Sequence, residues 1–201
     1  MDARNATRGY GMLEDFLARK RAGMADNLIL PAHRRGRIAD IGCGNYPVFL
    51  MRTEFAEKYG LDKISPSNAK EMQEYDINFV RCDIEEGERL PFQNEYLDVV
   101  TMLAVFEHIE PEVLPGILEE IHRVLKRGGM FILTTPAYWT DGILRVMAKL
   151  NLVSPVEIEE HKDAYSTRKI YHLLTASPFS GDKIKHGYFE ALMNIWVTAE
   201  K

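Results

Sequence analysis

The sequence predicts an α/β fold with a seven-stranded, mostly parallel sheet, helices on both faces and a C-terminal antiparallel hairpin. Short apolar runs alternate with segments of helical spacing, and this alternation implies right-handed βαβ crossovers. One run, "YLDVVTMLAVF", is apolar enough to be buried on both faces, as central parallel strands are. Two adjacent strand-like runs in "DKIKHGYFEALMNIWVTAEK", around Glu190 to Met193, predict the hairpin.

The elements follow from local patterns along the chain. A first helix is predicted over roughly Met12 to Leu30, where apolar residues recur at helical spacing. The first predicted strand, "GRIADIGCG", ends in a glycine turn, and the helix "NYPVFLMRTEFAEKYG" follows it with Phe49, Leu50 and Phe55 as inward candidates. The remaining strands of the parallel part are predicted at "EKYGLD", "INFVRCDI", "YLDVVTMLAVF" and "MFILTTP".

A second amphipathic helix is predicted from Glu112 to Arg127, with Ile117, Leu118, Ile121 and Leu125 on one face. Lys126 and Arg127 would place basic side chains in the last turn of this helix. Gly128 and Gly129 follow them and predict the end of the helix. The segment "TRKIYHLLTAS" predicts a later helix, and a short apolar helix is expected from Ile143 to Leu150.

Length and composition indicate one globular domain spanning residues 1–201, with a helical cap over 1–35 and a lid or insertion at 137–165. The net charge of −5 and the absence of long basic runs make nucleic acid an improbable partner. Cys43 and Cys82 match no zinc spacing and are expected as reduced thiols. With no signal-peptide pattern and no membrane-length apolar run, we expect a cytoplasmic protein, as a monomer or homodimer.

Acidic residues follow three successive strands: Asp40, Asp62 and Asp83. In an open parallel sheet the carboxyl ends of the strands converge on one crevice. Asp62, about twenty residues beyond the glycine turn, is placed to accept hydrogen bonds from both hydroxyls of a ribose. The alternative is that each acid only caps the helix or turn after it. Three acids at three successive strand ends favour the ligand site.

The chain resembles the class I S-adenosylmethionine-dependent methyltransferases, of the small-molecule, ubiquinone-pathway-like type. The resemblance is carried, in order, by "ADIGCG", "YGLD", "RCDIEEGERLPF", "YLDVVTMLAVFEHI" and "ILEEIHRVLKRGGMFILTTP". It implies a Rossmann-like sheet with S-adenosylmethionine as cofactor and S-adenosylhomocysteine as product. A nicotinamide dinucleotide domain is the alternative, but such a domain expects a third loop glycine where this chain has Pro47.

By this resemblance the segment from Asp40 to Asn45, which includes Gly42, Cys43 and Gly44, surrounds the methionine portion of the cofactor. The resemblance implies the other contacts as well: ribose at Asp62 and Lys63, adenine at Asp83 and Ile84, and the sulfonium side at Leu103 and Ala104. Cysteine is a common residue at this point of the loop in the methyltransferases that the chain resembles, so we assign Cys43 no catalytic role.

The loop has two unusual residues after its second glycine. Pro47 suits the first turn of the following helix. Tyr46 occupies the usual third-glycine position, where its ring must either point away from the cofactor or narrow the entrance of the pocket.

His108 and His161 are the candidate catalytic residues. His108 follows Glu107 just after the fourth strand, and its ordinary pKa suits a general base, although a helix-start role is equally open. His161 and Tyr165 lie on the predicted lid, where they either close over a substrate or belong to a solvated loop.

Aromatic and apolar residues of the lid have two interpretations. Tyr138, Trp139 and Met147 form either an apolar substrate wall or packing within the lid. The remaining histidines are interpreted as structural: His33, His122, His172 and His186.

No bound metal is expected. Some ubiquinone-pathway O-methyltransferases carry E-x-x-E-H after this strand and bind a divalent cation through it. Here "AVFEH" keeps Glu107 and His108 but places Ala104 at the first acid, which removes a charged oxygen ligand.

The leading hypothesis is methyl transfer to a small-molecule acceptor, with an oxygen nucleophile preferred because candidate bases are present. A protein or tRNA methyltransferase is a second hypothesis. A non-catalytic S-adenosylmethionine-binding module is the third.

Overall fold

The computed structural model describes residues 13–64, 69–150, 152–153 and 162–201. The strands are β1 (Arg37–Ile41), β2 (Glu57–Asp62), β3 (Ile77–Arg81), β4 (Leu97–Leu103), β5 (Leu125–Pro136), β6 (Ile184–Phe189) and β7 (Asn194–Glu200). The helices are α1 (Glu14–Leu28), α2 (Val48–Arg52), α3 (Ala69–Glu74), α4 (Leu114–Val124), α5 (Asp141–Lys149) and α6 (Thr167–Ala176).

The strands form one seven-stranded sheet in the order β3-β2-β1-β4-β5-β7-β6. Strands β1 to β5 pair in parallel, whereas β7 is antiparallel to both β5 and β6. The predicted Rossmann-like sheet with its C-terminal hairpin is therefore confirmed. Because β1 to β5 run the same way, their carboxyl ends lie along one edge, where α/β proteins bind ligands.

Helices cover both faces of the sheet, as predicted. On one face α4 contributes Leu118 and Ile121 to a core that also contains Val100 and Phe131 of the sheet. On the other face α1 and α2 pack with alternate residues of the same strands; these are Ala22, Ala25, Phe49, Leu50, Ile38, Val99, Met130 and Ile132. Apolar residues of β1, β4 and β5 alternate between the two cores, since successive side chains of a strand point to opposite faces.

The helix after the glycine turn is shorter than predicted. It begins at Val48 and ends at Arg52, so Phe55 lies outside it and is only half-buried. Thr53 is extended, and its Oγ1 donates a 2.7 Å hydrogen bond to Asp26 of α1 and accepts one of 2.7 Å from Arg34. This contact with a distant segment ends the helix early.

Pro47 is the N-cap of α2 rather than a residue of its first turn. The predicted position of Pro47 was therefore wrong by one residue. Its missing N–H has no cost there, because an N-cap N–H has no partner within the helix.

The predicted helix end at Leu125 to Arg127 was also wrong. Helix α4 ends at Val124, and Leu125 begins β5 by pairing with Leu97 of β4. The register then shifts, and Gly128 adopts a φ of +75° in the resulting bulge. Its N–H donates to the carbonyl of Lys201 at 2.9 Å. Gly128 and Gly129 therefore form part of a β-bulge that is held by hydrogen bonds to neighbouring strands. The spacing of apolar residues along the chain does not reveal such a bulge.

The segment after β5 contains a 3-10 turn (Tyr138–Thr140) and α5, close to the predicted apolar helix. Leu144, Met147 and Val153 of this segment pack with Leu17 of α1. The predicted residue His161 lies outside the described residues. Within the ranges that the structure describes, no helix is both long enough and apolar enough to cross a membrane.

Candidate functional site

A cavity of about 630 Å³ lies at the carboxyl ends of the strands. Its volume is in the range that holds a cofactor or a small ligand. It is lined by most of the residues that the sequence predicted for the cofactor: Asp40, Gly42, Cys43, Gly44, Asp62, Lys63, Asp83, Ile84, Leu103 and Ala104. Asn45 is exposed and does not line the cavity, whereas its neighbour Tyr46 does.

The glycines of the loop after β1 are required for two different reasons. Gly42 has a φ of +73°, and a Cβ built there would lie 2.4 Å from Cγ2 of Val105. Gly44 has a φ of +69°, but no atom lies within 4 Å of its Cβ position. Gly42 therefore needs both the space and the left-handed conformation, while Gly44 needs only the conformation.

Asp40 and Asp62 are both buried at the ends of adjacent strands. Asp40 accepts a 2.6 Å hydrogen bond from Thr101 Oγ1. Burial raises the pKa of Asp40 to about 7, against the effect of the Thr101 hydrogen bond and with a further contribution from the charge of Asp62. Asp62 accepts 3.0 Å hydrogen bonds from the N–H groups of Gly44 and Ile64. Its carboxylate thus connects the first two strand-end loops.

Asp83 both lines the cavity and caps a turn. Its Oδ1 accepts a 3.1 Å hydrogen bond from the N–H of Glu85, at the start of a 3-10 helix (Ile84–Glu86). Lys63 Nζ donates to Glu85 Oε1 at 2.8 Å and so connects the loops after β2 and β3. The capping and ligand-site interpretations are therefore compatible for Asp83, because one carboxylate oxygen accepts several hydrogen bonds.

Neither cysteine is in a form suited to nucleophilic chemistry. Burial raises the pKa of the Cys43 thiol far above its ordinary value, and the nearby Asp40 and Asp62 raise it further. Burial likewise raises the pKa of Cys82 to about 11. Both side chains therefore remain thiols at neutral pH.

The geometry fits a cationic nucleoside cofactor. Asp62 offers carboxylate oxygens for a ribose diol, and Asp40 adds a second acid whose charge a bound cation would favour. Tyr46 is half-buried on the cavity wall, so its side chain contributes to the lining at the usual third-glycine position.

Glu107 and His108 line the cavity just beyond β4, on a 3-10 turn (Phe106–His108). The carbonyl of Glu107 accepts a 2.8 Å hydrogen bond from the N–H of Lys162, which belongs to the last part of the lid segment 137–165. Tyr165 does not face the cavity. It is fully buried with its ring centroid 4.9 Å from that of Phe106, so neither interpretation of Tyr165, closing over a substrate or lying in a solvated loop, was correct.

The cap and the lid add apolar residues to the cavity wall. Leu17, Leu144, Met147 and Val153 line it. Met147 therefore serves both as wall and as lid packing.

Tyr138 and Trp139 are exposed by 58% and 44%, and neither lines the cavity. The other described histidines also lie outside it: His33, His122, His172 and His186. His122 packs edge-on against Phe179 with ring centroids 5.1 Å apart, as a structural residue does.

Arg21, Glu190 and Asn194 also line the cavity and were not predicted. Glu190 belongs to the turn between β6 and β7, and its Oε2 accepts a 2.5 Å hydrogen bond from Asn194 Nδ2. The hairpin was predicted from the sequence, but its place beside β5 brings these residues to the site. The paired acid and amide in "FEALMN" were the available signal.

Within the described ranges, no group of three or more His, Cys, Asp and Glu side chains is arranged to hold a metal ion. The absence of a bound metal stays a prediction.

Known proteins are similar to parts or the whole of this chain. Residues 39–133 match the family described as a methyltransferase domain. A zebrafish (Danio rerio) protein, mitochondrial arginine-hydroxylase NDUFAF5, is 34% identical over 94 residues, which are 46% of this chain. The chain thus spans only 28% of that relative's length.

Solved structures share the fold. An S-adenosylmethionine-dependent methyltransferase from Thermotoga maritima superposes with a TM-score of 0.68 at 18% identity, covering 93% of this chain and 90% of that one. The 1,6-didemethyltoxoflavin-N1-methyltransferase of Burkholderia thailandensis, solved with S-adenosylhomocysteine, has a TM-score of 0.64 at 16% identity, covering 92% and 77%. The chain therefore contains a stretch, residues 39–133, that matches the methyltransferase-domain family, and its whole sheet shares the fold of these S-adenosylmethionine-dependent methyltransferases.

Proposed function

We propose that the protein transfers a methyl group from S-adenosylmethionine to an oxygen atom of a small-molecule acceptor. One observation carries this proposal: a single cavity holds the predicted cofactor residues and, beside them, Glu107 and His108. A general base is useful when the nucleophile must lose a proton, as a hydroxyl must. The presence of two candidate bases at this point favours oxygen over a nucleophile that needs none.

The residues that line the cavity fall into two groups, those proposed to bind the cofactor and those proposed to act on the acceptor. Asp62 would bind the ribose hydroxyls, Asp83 and Ile84 would face the adenine, and the loop from Asp40 to Gly44 would surround the methionine portion. The cofactor supplies a methyl group that is already activated by its positive sulfur. The protein therefore has mainly to orient the acceptor and exclude water.

His108 would accept the proton of the acceptor hydroxyl as the methyl group is transferred. Its backbone N–H donates to the carbonyl of Val105 at 3.0 Å, which holds the turn that presents its ring. Glu107 is 3% exposed and adds an acid next to it. His161 stays a second candidate on the lid.

We further propose that 1–201 is one catalytic domain, in which 1–35 is a cap and 137–165 a lid. Leu17 of the cap belongs to one apolar cluster with Leu144, Met147 and Val153 of the lid segment, and all four line the cavity. A cavity volume of about 630 Å³ suits a cofactor with a small acceptor. A cytoplasmic location is part of the same proposal, supported by two cysteines that remain free thiols.

Formation of S-adenosylhomocysteine tests this proposal. The protein is incubated with S-adenosylmethionine and cell extract divided into small-molecule and macromolecular fractions. We expect product with the small-molecule fraction alone. Product only with the macromolecular fraction would replace the proposal by a protein or tRNA methyltransferase.

A cofactor-binding module that transfers no methyl group is the second candidate function. The matched zebrafish protein is named for hydroxylation, so a similar stretch of chain occurs in a protein that is not named for methyl transfer. Cofactor binding by calorimetry without S-adenosylhomocysteine formation from any fraction would favour this candidate.

A further inference from the structure

The turn between β6 and β7 has an unusual backbone. Glu190, Ala191 and Leu192 have φ values of 51°, 54° and 70°, and none of them is glycine. The turn is held by a 3.1 Å hydrogen bond from the N–H of Met193 to the carbonyl of Glu190. The Met193 carbonyl in turn accepts a 2.8 Å hydrogen bond from Ala137, just after β5. Left-handed backbone is costly for non-glycine residues and often occurs where a side chain must be presented to a ligand.

The side chain that this turn presents is the carboxylate of Glu190. Its Oε2 accepts the hydrogen bond from Asn194, which is itself a cavity residue. Its Oε1 is buried and accepts no hydrogen bond from any residue that the structure describes. A buried carboxylate oxygen without a donor is unfavourable, so a donor supplied by a ligand would stabilise it.

Glu190 faces the part of the cavity that the cofactor residues do not use. In the strand order, Asp62 ends β2 and Asp83 follows β3 at one side of the sheet. At the other side, Glu190 follows β6 and Asn194 begins β7. His108, the candidate base, follows β4 between them. An acceptor beside His108 would therefore extend toward Glu190.

Two cations lie near this carboxylate without occupying its buried oxygen. Burial raises the pKa of Glu190, and the charge of Arg21, the Asn194 hydrogen bond and the charge of Lys20 oppose this rise only in part. Arg21 and Lys20 act through their charges, and neither donates a hydrogen bond to Glu190 among the described contacts. Oε1 of Glu190 can therefore accept a charge-assisted hydrogen bond from a cationic ligand, and such a bond is stronger than one between neutral groups.

We propose that Glu190, assisted by Asn194, binds a primary ammonium group of the acceptor and so selects cationic over neutral or anionic acceptors. The inference rests on the proposed function, since it assigns the acceptor to the half of the cavity beyond His108. The acceptor would combine an ammonium group, an apolar body against Leu144 and Met147, and a hydroxyl near His108.

Three probes that differ in charge test this inference: tyramine, 4-ethylphenol and 4-hydroxyphenylpropionate. Each carries the same phenol, with a cationic, neutral or anionic tail. Binding to the protein saturated with S-adenosylhomocysteine is measured by calorimetry. We expect tyramine to bind at least about tenfold more tightly than 4-ethylphenol, and the carboxylate probe most weakly.

Glu190→Gln should remove most of the preference for tyramine, while Asn194 can still hydrogen-bond the new amide. Glu200→Gln is the matched control, because Glu200 lies on the same hairpin, pairs with Lys183 at 3.0 Å and is outside the cavity. The control should keep the wild-type preference. Circular dichroism and the affinity for S-adenosylhomocysteine show whether each variant remains folded.

The inference is overturned if tyramine does not bind saturably, if the three probes bind alike, or if Glu190→Gln keeps the preference. Its failure is distinct from failure of the proposed function, because binding is measured without turnover. Selective binding of tyramine without S-adenosylhomocysteine formation from any extract fraction would leave the inference standing and remove the methyl-transfer proposal. If Glu190→Gln leaves the rate of S-adenosylhomocysteine formation unchanged, the methyl-transfer proposal stands and the inference about Glu190 is removed.

Discussion

Thr101 Oγ1 donates a 2.6 Å hydrogen bond to Asp40 Oδ1 between the neighbouring strands β4 and β1, and both side chains are buried. The bond holds a carboxyl group at the floor of the cavity, where burial raises its pKa to about 7. The charge of Asp40 therefore changes near neutral pH, and a bound cation would shift it toward the ionised form.

The affinity for S-adenosylmethionine should depend on the ionisation of Asp40. The cofactor is cationic, so we expect its affinity to rise with pH through about 7 and to fall by up to about tenfold per pH unit below it. Asp40→Asn keeps an acceptor for Thr101 but cannot ionise, and it should bind more weakly at pH 8. Calorimetry between pH 6 and 8 measures both effects, and subtracting the variant's profile removes the titration of the cofactor itself.

Asp40→Asn, which should weaken cofactor binding at pH 8, should raise the stability of the folded protein at that pH. A carboxyl whose folded pKa is raised stabilises the protein below its unfolded pKa of 3.8, and this contribution is lost as pH rises through about 7. Asp40→Asn should therefore have a higher Tm than the wild type at pH 8, with a smaller difference at pH 5. Asp182→Asn, at an exposed site outside the cavity, is the control. Equal shifts at both pH values would contradict the assignment.

Asp62→Ala should weaken cofactor binding strongly. It removes the proposed ribose acceptor and the hydrogen bonds from Gly44 and Ile64, so we expect a loss of about 10- to 100-fold in affinity. Asp62→Asn, which retains one oxygen acceptor, should lose less. Unchanged affinity of the alanine variant by calorimetry would exclude Asp62 from the cofactor site.

His108→Ala should lower kcat by about 10²- to 10⁴-fold with little change in cofactor affinity, as expected for loss of a general base. His172→Ala is the control, because His172 is exposed on α6 and outside the cavity. Steady-state rates of S-adenosylhomocysteine formation provide the measurement. Normal turnover of the His108 variant would leave the residue with a structural role only.

Gly42→Ala should destabilise the fold by about 2–4 kcal/mol, because it combines a left-handed φ with a clash against Val105. Gly23→Ala is a matched control within α1, where no atom lies within 4 Å of the added Cβ. That control should stabilise by about 0.5–1 kcal/mol, since alanine favours a helix. Urea unfolding compares the two, and a similar effect in both would contradict the steric argument.

Much of the cofactor half of the cavity could be predicted from the sequence. Asp40, Asp62 and Asp83 each follow an apolar run, and parallel strands necessarily bring such ends together. The acceptor half could not be predicted in this way. Glu190 and Asn194 reach the cavity only because β7 pairs with β5 through contacts such as Pro136 with Asn194.

The errors in the element boundaries have the same origin. Leu125 continues the helical spacing of α4, yet it pairs with Leu97 because β4 offers hydrogen-bond partners to an extended chain. Phe55 is spaced as a helix residue, but Thr53 is held outside a helix by Asp26 and Arg34. Partners distant in the chain outweighed local propensity in both cases.

The sequence by itself determined the alternation of strands and helices, the glycine loop and the acids at the strand ends. These features depend on residue spacing and on conformations that a residue type permits or forbids. The tertiary structure alone decided that Tyr165 is buried against Phe106, that Asp40 has a pKa of about 7, and that Glu190 faces the cavity. Burial and the placement of side chains around a cavity depend on which distant segments pack together, and spacing along one chain does not contain that information.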